Sequence, residues 1–390
     1  MDLQIAQNQA LSMMRKASHP RGFLASSQTH DNYKRVWARD GIITGLAALS
    51  SREADLMDTF EETLITLGDF ISPEGHIPSN VDLMNGQVSY GGLAGRADTG
   101  TWWMIGLCLF AKYTGKTKLL EKFESEVNRI HQLYKAWEYN NRGLIYVPIA
   151  GDWADEYVLQ GYVLYDQVLR YGALRLSGEA FNRKDWLAQA EKLHVSIVEN
   201  YWLDEGMLEK GIHPVAKKRL WEVQGELPYL MASFHPAGYQ TYFDALGNAL
   251  AILFNIHPNP QKTIKAFSHN GFNLVPAFSP AISPQDPDYR LLEENYRFKF
   301  RNHPNEFHNG GIWPMVNGFW GMAVYKEVGK AEAMEILKKL IEKNSEDSWE
   351  FNECFHALTG KPCGVPSCTW SAAGQVLLQN TIHHGFYLLD

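Results

Sequence analysis

The chain has 390 residues, 45% of them hydrophobic and 21% charged, a balance that excludes intrinsic disorder as a description of the whole and leaves material for a large core. A formal charge of −8 and a pI near 6.0 provide no positive field to gather phosphates, so a general nucleic-acid binder is excluded. Length alone suggests two or three domains, although barrels run past about 250 residues as one unit.

Residues 1–17 read as an amphipathic helix. Their basic residues follow the apolar ones and no unbroken apolar run is present, so they do not form a secretory leader and a cytoplasmic protein is expected. Further two-faced helices are predicted at 54–72, 118–139, 181–203, 260–268 and 331–343. In the second of these, Leu119, Leu120, Phe123, Val127, Ile130 and Leu133 recur at three- and four-residue steps, the mark of one buried face.

Between them lie helices of another kind, starting near Arg39, Asp98, Glu156, Tyr242, Gly310 and Thr369. GIITGLAALS, TGTWWMIGLCLF, YFDALGNALAILF and GIWPMVNGFWGMAVY are apolar on nearly all sides, so they are covered on nearly all sides. Six outer and six inner helices alternate at about sixty residues per pair, with one longer excursion at 205–238. This pattern predicts an all-α (α/α)6 barrel and turns the length into one domain, 1–390. GLIYVPI at 143–149 reads as a short hairpin. The richest apolar stretch, TWWMIGLCLFAKY, is too short to span a membrane.

Each inner helix is preceded by a loop of polar and aromatic residues: YKRVWARDG, AGRADTGTWW, IAGDWADEY, FHPAGYQTYFD, NEFHNGGIWP and NECFHALTGKPCGVPSCTWS. If the inner helices run the same way, these six loops share one end of the barrel, where binding residues belong. The aromatic load, 12 Trp, 18 Tyr and 19 Phe, suits a neutral, hydroxyl-rich ligand as well as a core. Trp37, Trp102, Trp103, Trp153, Trp313 and Trp370 all fall beside these loops.

Asp155, with Asp152 before it, and Glu353 are the leading chemical candidates. One protonated and one ionised carboxyl can split a glycoside, the first giving a proton to the leaving oxygen and the second taking one from water. Spacing alone favours Asp155 as a helix cap, and leaves open which of Asp152 and Asp155 is the acid. Arg39 and Asp40 read either as sugar ligands or as a pair with each other. Asp98 reads as a ligand or an N-cap, and His308 and Asn309 as ligands or a turn.

No Ser-His-Asp elbow, phosphate loop, dinucleotide fingerprint or HExxH is present. Cys354, Cys363 and Cys368 cluster with His356, but no CxxC pair exists, so these and Cys108 read as reduced structural thiols and no metal or cofactor is expected.

At these residues the sequence resembles the alkaline and neutral invertases, glycoside hydrolase family 100. YKRVWARDGIITGLAAL is similar to their NxVFxRDFxxSxLAxL, GRADTGTWWMIGL to VDSGLWWIILL and GDWADEY to MIDR. YFDALGNALAILF is similar to FxxLGNxWAIL, EFHNGGIWPM to YHNGGxWPxL, and the closing segment to PEYYDxxxGxxxGxxxxxxQTWSIAG.

The resemblance implies metal-free, inverting hydrolysis of a small saccharide, most simply sucrose. Asp155 would be general acid and Glu353 general base. Arg39, Asp40, Asp98 and His308 would hold the glycosyl unit. Asp152 has no clear counterpart in the family and reads as tuning Asp155 or binding sugar, and the loop residues Trp37, Trp102, Trp153, Asn309, Trp313 and Trp370 are expected at the substrate as well. The chain departs from the family at EYVLQGYVLYDQ, where a His- and Arg-rich stretch is usual. The same loops resemble glycogen-debranching glucosidase domains and, more loosely, trehalases and glucosylglycerate hydrolases, which keeps an α-glucosidase in view. A sugar epimerase on the same barrel would need two histidines at the mouth, with His30, His303, His308 and His356 available. The partner is thus a small carbohydrate, with no nucleic acid or membrane, and homo-oligomerisation is left open.

Overall fold

A computed structural model describes residues 2–268, 274–295 and 297–389. The described residues form fifteen helices: α1 Leu3–Lys16, α2 Ala38–Ser51, α3 Ala54–Gly68, α4 Thr99–Thr114, α5 Lys118–Ala136, α6 Leu164–Ala180, α7 Lys184–Tyr201, α8 Pro214–Gln224, α9 Ala245–Leu253, α10 Pro260–Phe267, α11 Pro287–Asn295, α12 Pro314–Glu327, α13 Lys330–Asn344, the single turn α14 Glu346–Trp349, and α15 Thr369–His384.

Six of them close a ring. The contacts run α2 to α4, α4 to α6, α6 to α9, α9 to α12, α12 to α15 and α15 back to α2. Around it, α1 packs on α15, α3 on α2 and α4, α5 on α4, α7 on α6, α10 on α12, and α13 on α12 and α15. The chain folds as an (α/α)6 barrel.

The two classes of helix differ in burial as their sequences require. Every residue of α4 from Thr99 to Ala111 is buried, because its neighbours in the ring and the outer helices together cover its whole circumference. In α5 one stripe is buried, comprising Leu119, Leu120, Phe123, Val127, Ile130 and Tyr134. The aromatic Tyr134 completes it where Leu133 was expected, and its hydroxyl donates to the carbonyl of Ala97, ahead of α4.

Three inner-helix boundaries differ from the sequence reading. The third inner helix begins at Leu164, not near Glu156, because residues 149–161 are a long loop tied by an isolated bridge between Val147 and Gly161. That bridge replaces the hairpin expected at GLIYVPI. The fourth begins at Ala245, since Tyr242 belongs to the strand Gly238–Asp244. The fifth begins at Pro314, whose fixed φ suits a first helical turn. The excursion at 205–238 contains α8 and the strand Met231–His235. That strand pairs in an antiparallel sheet ordered Tyr162–Val163, Met231–His235, Gly238–Asp244, Phe278–Ser279.

Glycine lets adjacent inner helices approach backbone to backbone. A Cβ on Gly318 of α12 would lie 2.4 Å from the Gly374 carbonyl oxygen and 2.5 Å from its Cα, in α15. These atoms belong to backbone and cannot swing aside. Gly318→Ala is therefore expected to cost about 1–3 kcal/mol or more through overpacking. In urea unfolding the midpoint should fall with little change in slope; an unchanged midpoint would mean that the two helices can part freely.

Candidate active site

A cavity of about 820 Å³ opens where the loops preceding the inner helices meet, within the range of about 300–1,000 Å³ usual for small-molecule sites. Its wall includes Trp37, Arg39 and Asp40 at the start of α2, Arg96 before α4, and Trp153, Asp155 and Glu156 before α6. It continues with Phe307, His308 and Trp313 before α12, and with Glu353 and Trp370 around the start of α15. Five of the six loops thus converge. The sixth, 234–244, contributes no described lining residue, because it is consumed in the four-stranded sheet. A second cavity, of about 250 Å³, lies on another side of Arg96 and is lined by Tyr134, Trp137, Tyr139 and Tyr146 with no carboxylate.

Nine of the thirteen sequence candidates line the large cavity, and four do not. Asp98, Trp102, Asp152 and Asn309 are buried behind the wall. Asp98 stands at the N-cap position of α4, yet its side chain makes no cap bond. Instead Asp98 Oδ2 accepts from Arg39 Nη1 at 2.7 Å and from the Tyr165 hydroxyl at 3.0 Å. Trp102 Nε1 donates to that same hydroxyl at 2.7 Å, so its ring is a brace and not a platform. Asn309 bonds the backbone of Ile282 and Asn302 and shapes the HNGG turn.

Asp152 has neither oxygen hydrogen-bonded. Burial, and then the charges of Asp244 and Asp98, raise its pKa, and Asp166 beside it is raised for the same leading reason. Of Asp152 and Asp155, only Asp155 lines the cavity. Asp155 is no helix cap either: α6 starts nine residues later, at Leu164.

The two candidate catalytic carboxyls have opposite environments. Burial pushes Asp155 up, but the guanidinium of Arg96, 2.8 Å away, together with His308, Arg39 and Arg301 beyond it, outweighs burial and holds the carboxyl below its ordinary range. Arg96 is fixed in turn by the carbonyls of Gly95 and Ala150. Glu353 has only neutral donors in direct contact, the Tyr33 hydroxyl at 2.7 Å and the Val365 N–H at 3.1 Å. Burial therefore dominates and lifts it to about 7. Asp40, also pushed up by burial, reaches about 6.

Sequence reasoning missed Tyr33, Arg96, Glu156 and Arg301. The first three lay inside the quoted loops, without a local mark to separate them from neighbours. Arg301, which pairs with Glu156 and lies 4.4 Å over the Phe307 ring, carried no signal at all.

The rest of the wall is aromatic. Trp153 meets Trp313 edge to face at 5.5 Å, and Trp313 meets Trp370 likewise at 5.8 Å. His308 stacks on Trp313 at 4.9 Å. Burial lowers the His308 pKa to about 3, so it is neutral. Of the four histidines that an epimerase would draw on, only His308 lines the cavity. Trp153 Nε1, Trp370 Nε1, His308 Nδ1 and Arg39 Nε are buried without hydrogen-bond partners, a polar set that a ligand rich in hydroxyls can satisfy. Among the described residues no group of His, Cys, Asp or Glu is arranged to hold a metal ion, and no helix is long and apolar enough to cross a membrane.

The family model for "Alkaline and neutral invertase" matches residues 212–384. The chain resembles the alkaline and neutral invertases. It is 24% identical to a probable alkaline/neutral invertase A, chloroplastic, of Arabidopsis thaliana over 90% of this chain and 65% of that protein. It is 25% identical to a neutral/alkaline invertase 1, mitochondrial, of Oryza sativa subsp. japonica over 88% and 64%. The chain thus spans about two thirds of the length of these curated relatives.

Among solved structures, the GH63 mannosylglycerate hydrolase of Thermus thermophilus in complex with Tris and D-glycerate superimposes with a TM-score of 0.70 at 12% identity, covering 96% of this chain and 100% of that one. A glycosidase variant in complex with glucose gives 0.64 at 13%, covering 99% and 97%. These likenesses bear on the fold.

The environment of Glu353 makes stability depend on pH. Its pKa is higher in the fold than in the unfolded chain, so its contribution is complete below pH about 4.5 and is lost as pH rises through about 7. Full ionisation costs on the order of 3 kcal/mol, at about 1.4 kcal/mol per pH unit. Glu353→Gln cannot ionise, so its stability relative to wild type should improve from pH 5 to pH 8. Urea unfolding of both proteins at the two pH values checks this, and a difference independent of pH would contradict it.

Proposed function

We propose that the chain is an inverting glycoside hydrolase acting on a small saccharide, with sucrose the first substrate to try, and that it works as one barrel domain in the cytoplasm. The observation that carries the reading is a single cleft holding one ionised and one protonated carboxyl, Asp155 and Glu353, between indole faces and unpaired buried donors. Inverting hydrolysis needs one of each. Four free cysteines accord with a reducing compartment, and sucrose is suggested by what the similar plant proteins are named for.

The resemblance assigns the acid to Asp155 and the base to Glu353. Inversion moves one proton from acid to base in each turnover, so the charge state of the empty site, Asp155 ionised and Glu353 protonated, is the one that such a cycle leaves behind. Binding of a sugar hydroxyl by Arg96 would free Asp155 to take the proton back. The reverse assignment, with Glu353 as acid, is favoured by the empty-site charges taken alone, and one experiment separates the two.

Asp155→Asn and Glu353→Gln are each expected to lower kcat on the natural glycoside by about 10²–10⁴-fold. A glycosyl fluoride has a leaving group that departs without a proton, so it should restore rate to the variant lacking the acid and not to the one lacking the base. Recovery in Asp155→Asn upholds the assignment, and recovery in Glu353→Gln reverses it. Full activity in both variants would sink the reading. Proton NMR of sucrose, trehalose, isomaltose and glucosylglycerate digests identifies the bond cleaved, and the first sugar released should have the anomeric configuration opposite to that of the bond.

A further inference from the structure

The hairpin that carries Glu353 also carries two thiols. Cys354 and Cys363 stand directly opposite each other in the paired strands Cys354–Phe355 and Pro362–Cys363. Their Sγ atoms are 3.0 Å apart and both residues are free cysteines. Opposed residues of an antiparallel pair have Cα atoms about 4.5–5.5 Å apart, inside the span of about 4.4–6.8 Å that a disulfide bridges. Closing the bond to about 2.05 Å asks the sulfurs to approach by roughly 1 Å. Cys354 is buried and Cys363 is half-buried, so a reagent from solvent meets Cys363 first. A hydrogen bond from the Cys354 thiol also favours the Cys363 thiolate.

The approach is transmitted to the cleft. The Cys354–Phe355 strand is pinned by two backbone bonds between Phe355 and Ile312, at 2.8 and 2.9 Å, so movement falls on the opposite strand. Two residues beyond Cys363, Val365 donates to Glu353 Oε2 at 3.1 Å and accepts from the Glu353 N–H at 2.9 Å. Between them, a Cβ on Gly364 would lie 2.5 Å from Glu353 Oε2: the carboxyl rests against this backbone without slack.

We propose that Cys354 and Cys363 are a dithiol–disulfide site whose closure displaces Glu353 and slows the enzyme. The Cys363 thiolate attacks one sulfur of a small disulfide such as glutathione disulfide and expels one glutathione thiolate. Cys354, giving up its proton, then attacks the mixed disulfide at Cys363 and expels the second. Two electrons pass from the protein to the glutathione disulfide, and two glutathione molecules are released. The effect on rate rests on the hydrolase reading. A misplacement of about 1 Å in a catalytic group costs up to about 10²-fold, so a 10- to 100-fold fall in kcat is expected.

The test treats the whole protein with glutathione disulfide, blocks residual thiols with N-ethylmaleimide and maps the peptides. The expected product is a Cys354–Cys363 cross-link two hydrogens lighter than the dithiol. The fall in rate should be reversed by dithiothreitol, and Cys363→Ser should keep the basal rate and lose the response. A glutathione adduct without the cross-link, or a cross-link that leaves the rate unchanged, overturns the proposal. Mapping needs no substrate, and neither does amide exchange at Val365. If no saccharide is hydrolysed, a cross-link with altered Val365 exchange upholds the site and unaltered exchange removes it, whatever becomes of the hydrolase reading.

Discussion

The buried ion pair between Arg39 and Asp98 is the constraint on which the inner ring depends. The barrel interior gathers four carboxyls, Asp98, Asp152, Asp166 and Asp244, all buried, and Arg39 is the cation that enters the electrostatics of three of them. Burial alone would press Arg39 to lose its proton, but Asp98 first, then the neighbouring Tyr165 and Asp40, raise its pKa instead. Burial first, and the charge of Asp98 with it, raise the pKa of Asp152 and Asp166, while Arg39 pulls in the opposite direction. The pair also fastens α2 to α4, and through Tyr165 it reaches α6. Removing one member would strand a charge where water cannot reach, and that penalty exceeds the net value of the pair itself.

The same rule, one layer further out, sets the chemistry of the cleft. Asp155 has a guanidinium, Arg96, in contact, and such a cation helps offset the loss of water around a carboxylate. Glu353 has a phenol and a peptide N–H, whose partial charges are too small to do so. The contrast in protonation therefore arises from which loop supplies the neighbour. Asp and Glu differ too little in intrinsic acidity to produce it.

Much of the fold was legible because burial leaves a periodic trace. Two-faced and all-apolar helices alternate, and that alternation has one economical closure, with the inner class ringed by the outer. The convergence of loops followed from the same direction of travel in every inner helix. What local pattern could not convey was depth. Asp98 and Asp155 each look like a cap in sequence, and neither caps: the first turns to Arg39, the second sits on a loop that delays α6. Trp102 and Trp153 are both loop-end indoles, yet only Trp153 reaches the cavity, since the other lies one turn down a fully enclosed helix. Tyr33 and Arg301 act on Glu353 and Glu156 across 320 and 145 residues of chain, a separation at which no spacing rule operates.

Mechanical support divides the cleft in a further way. Asp40 rides on the first turn of α2, and Asp155 and Glu156 are clamped by arginines that are themselves held by backbone or an aromatic ring. Glu353 belongs to a two-stranded hairpin, and the donors to its two oxygens come from different loops, 33 on one side and 365 on the other. The general-base role proposed for Glu353 requires its position to be defined to a fraction of an ångström. The hairpin defines it by contact between Glu353 and the bare backbone of Gly364, next in sequence to Cys363. Glu353, with no cation in contact, thus takes its position from this hairpin and from two neutral donors.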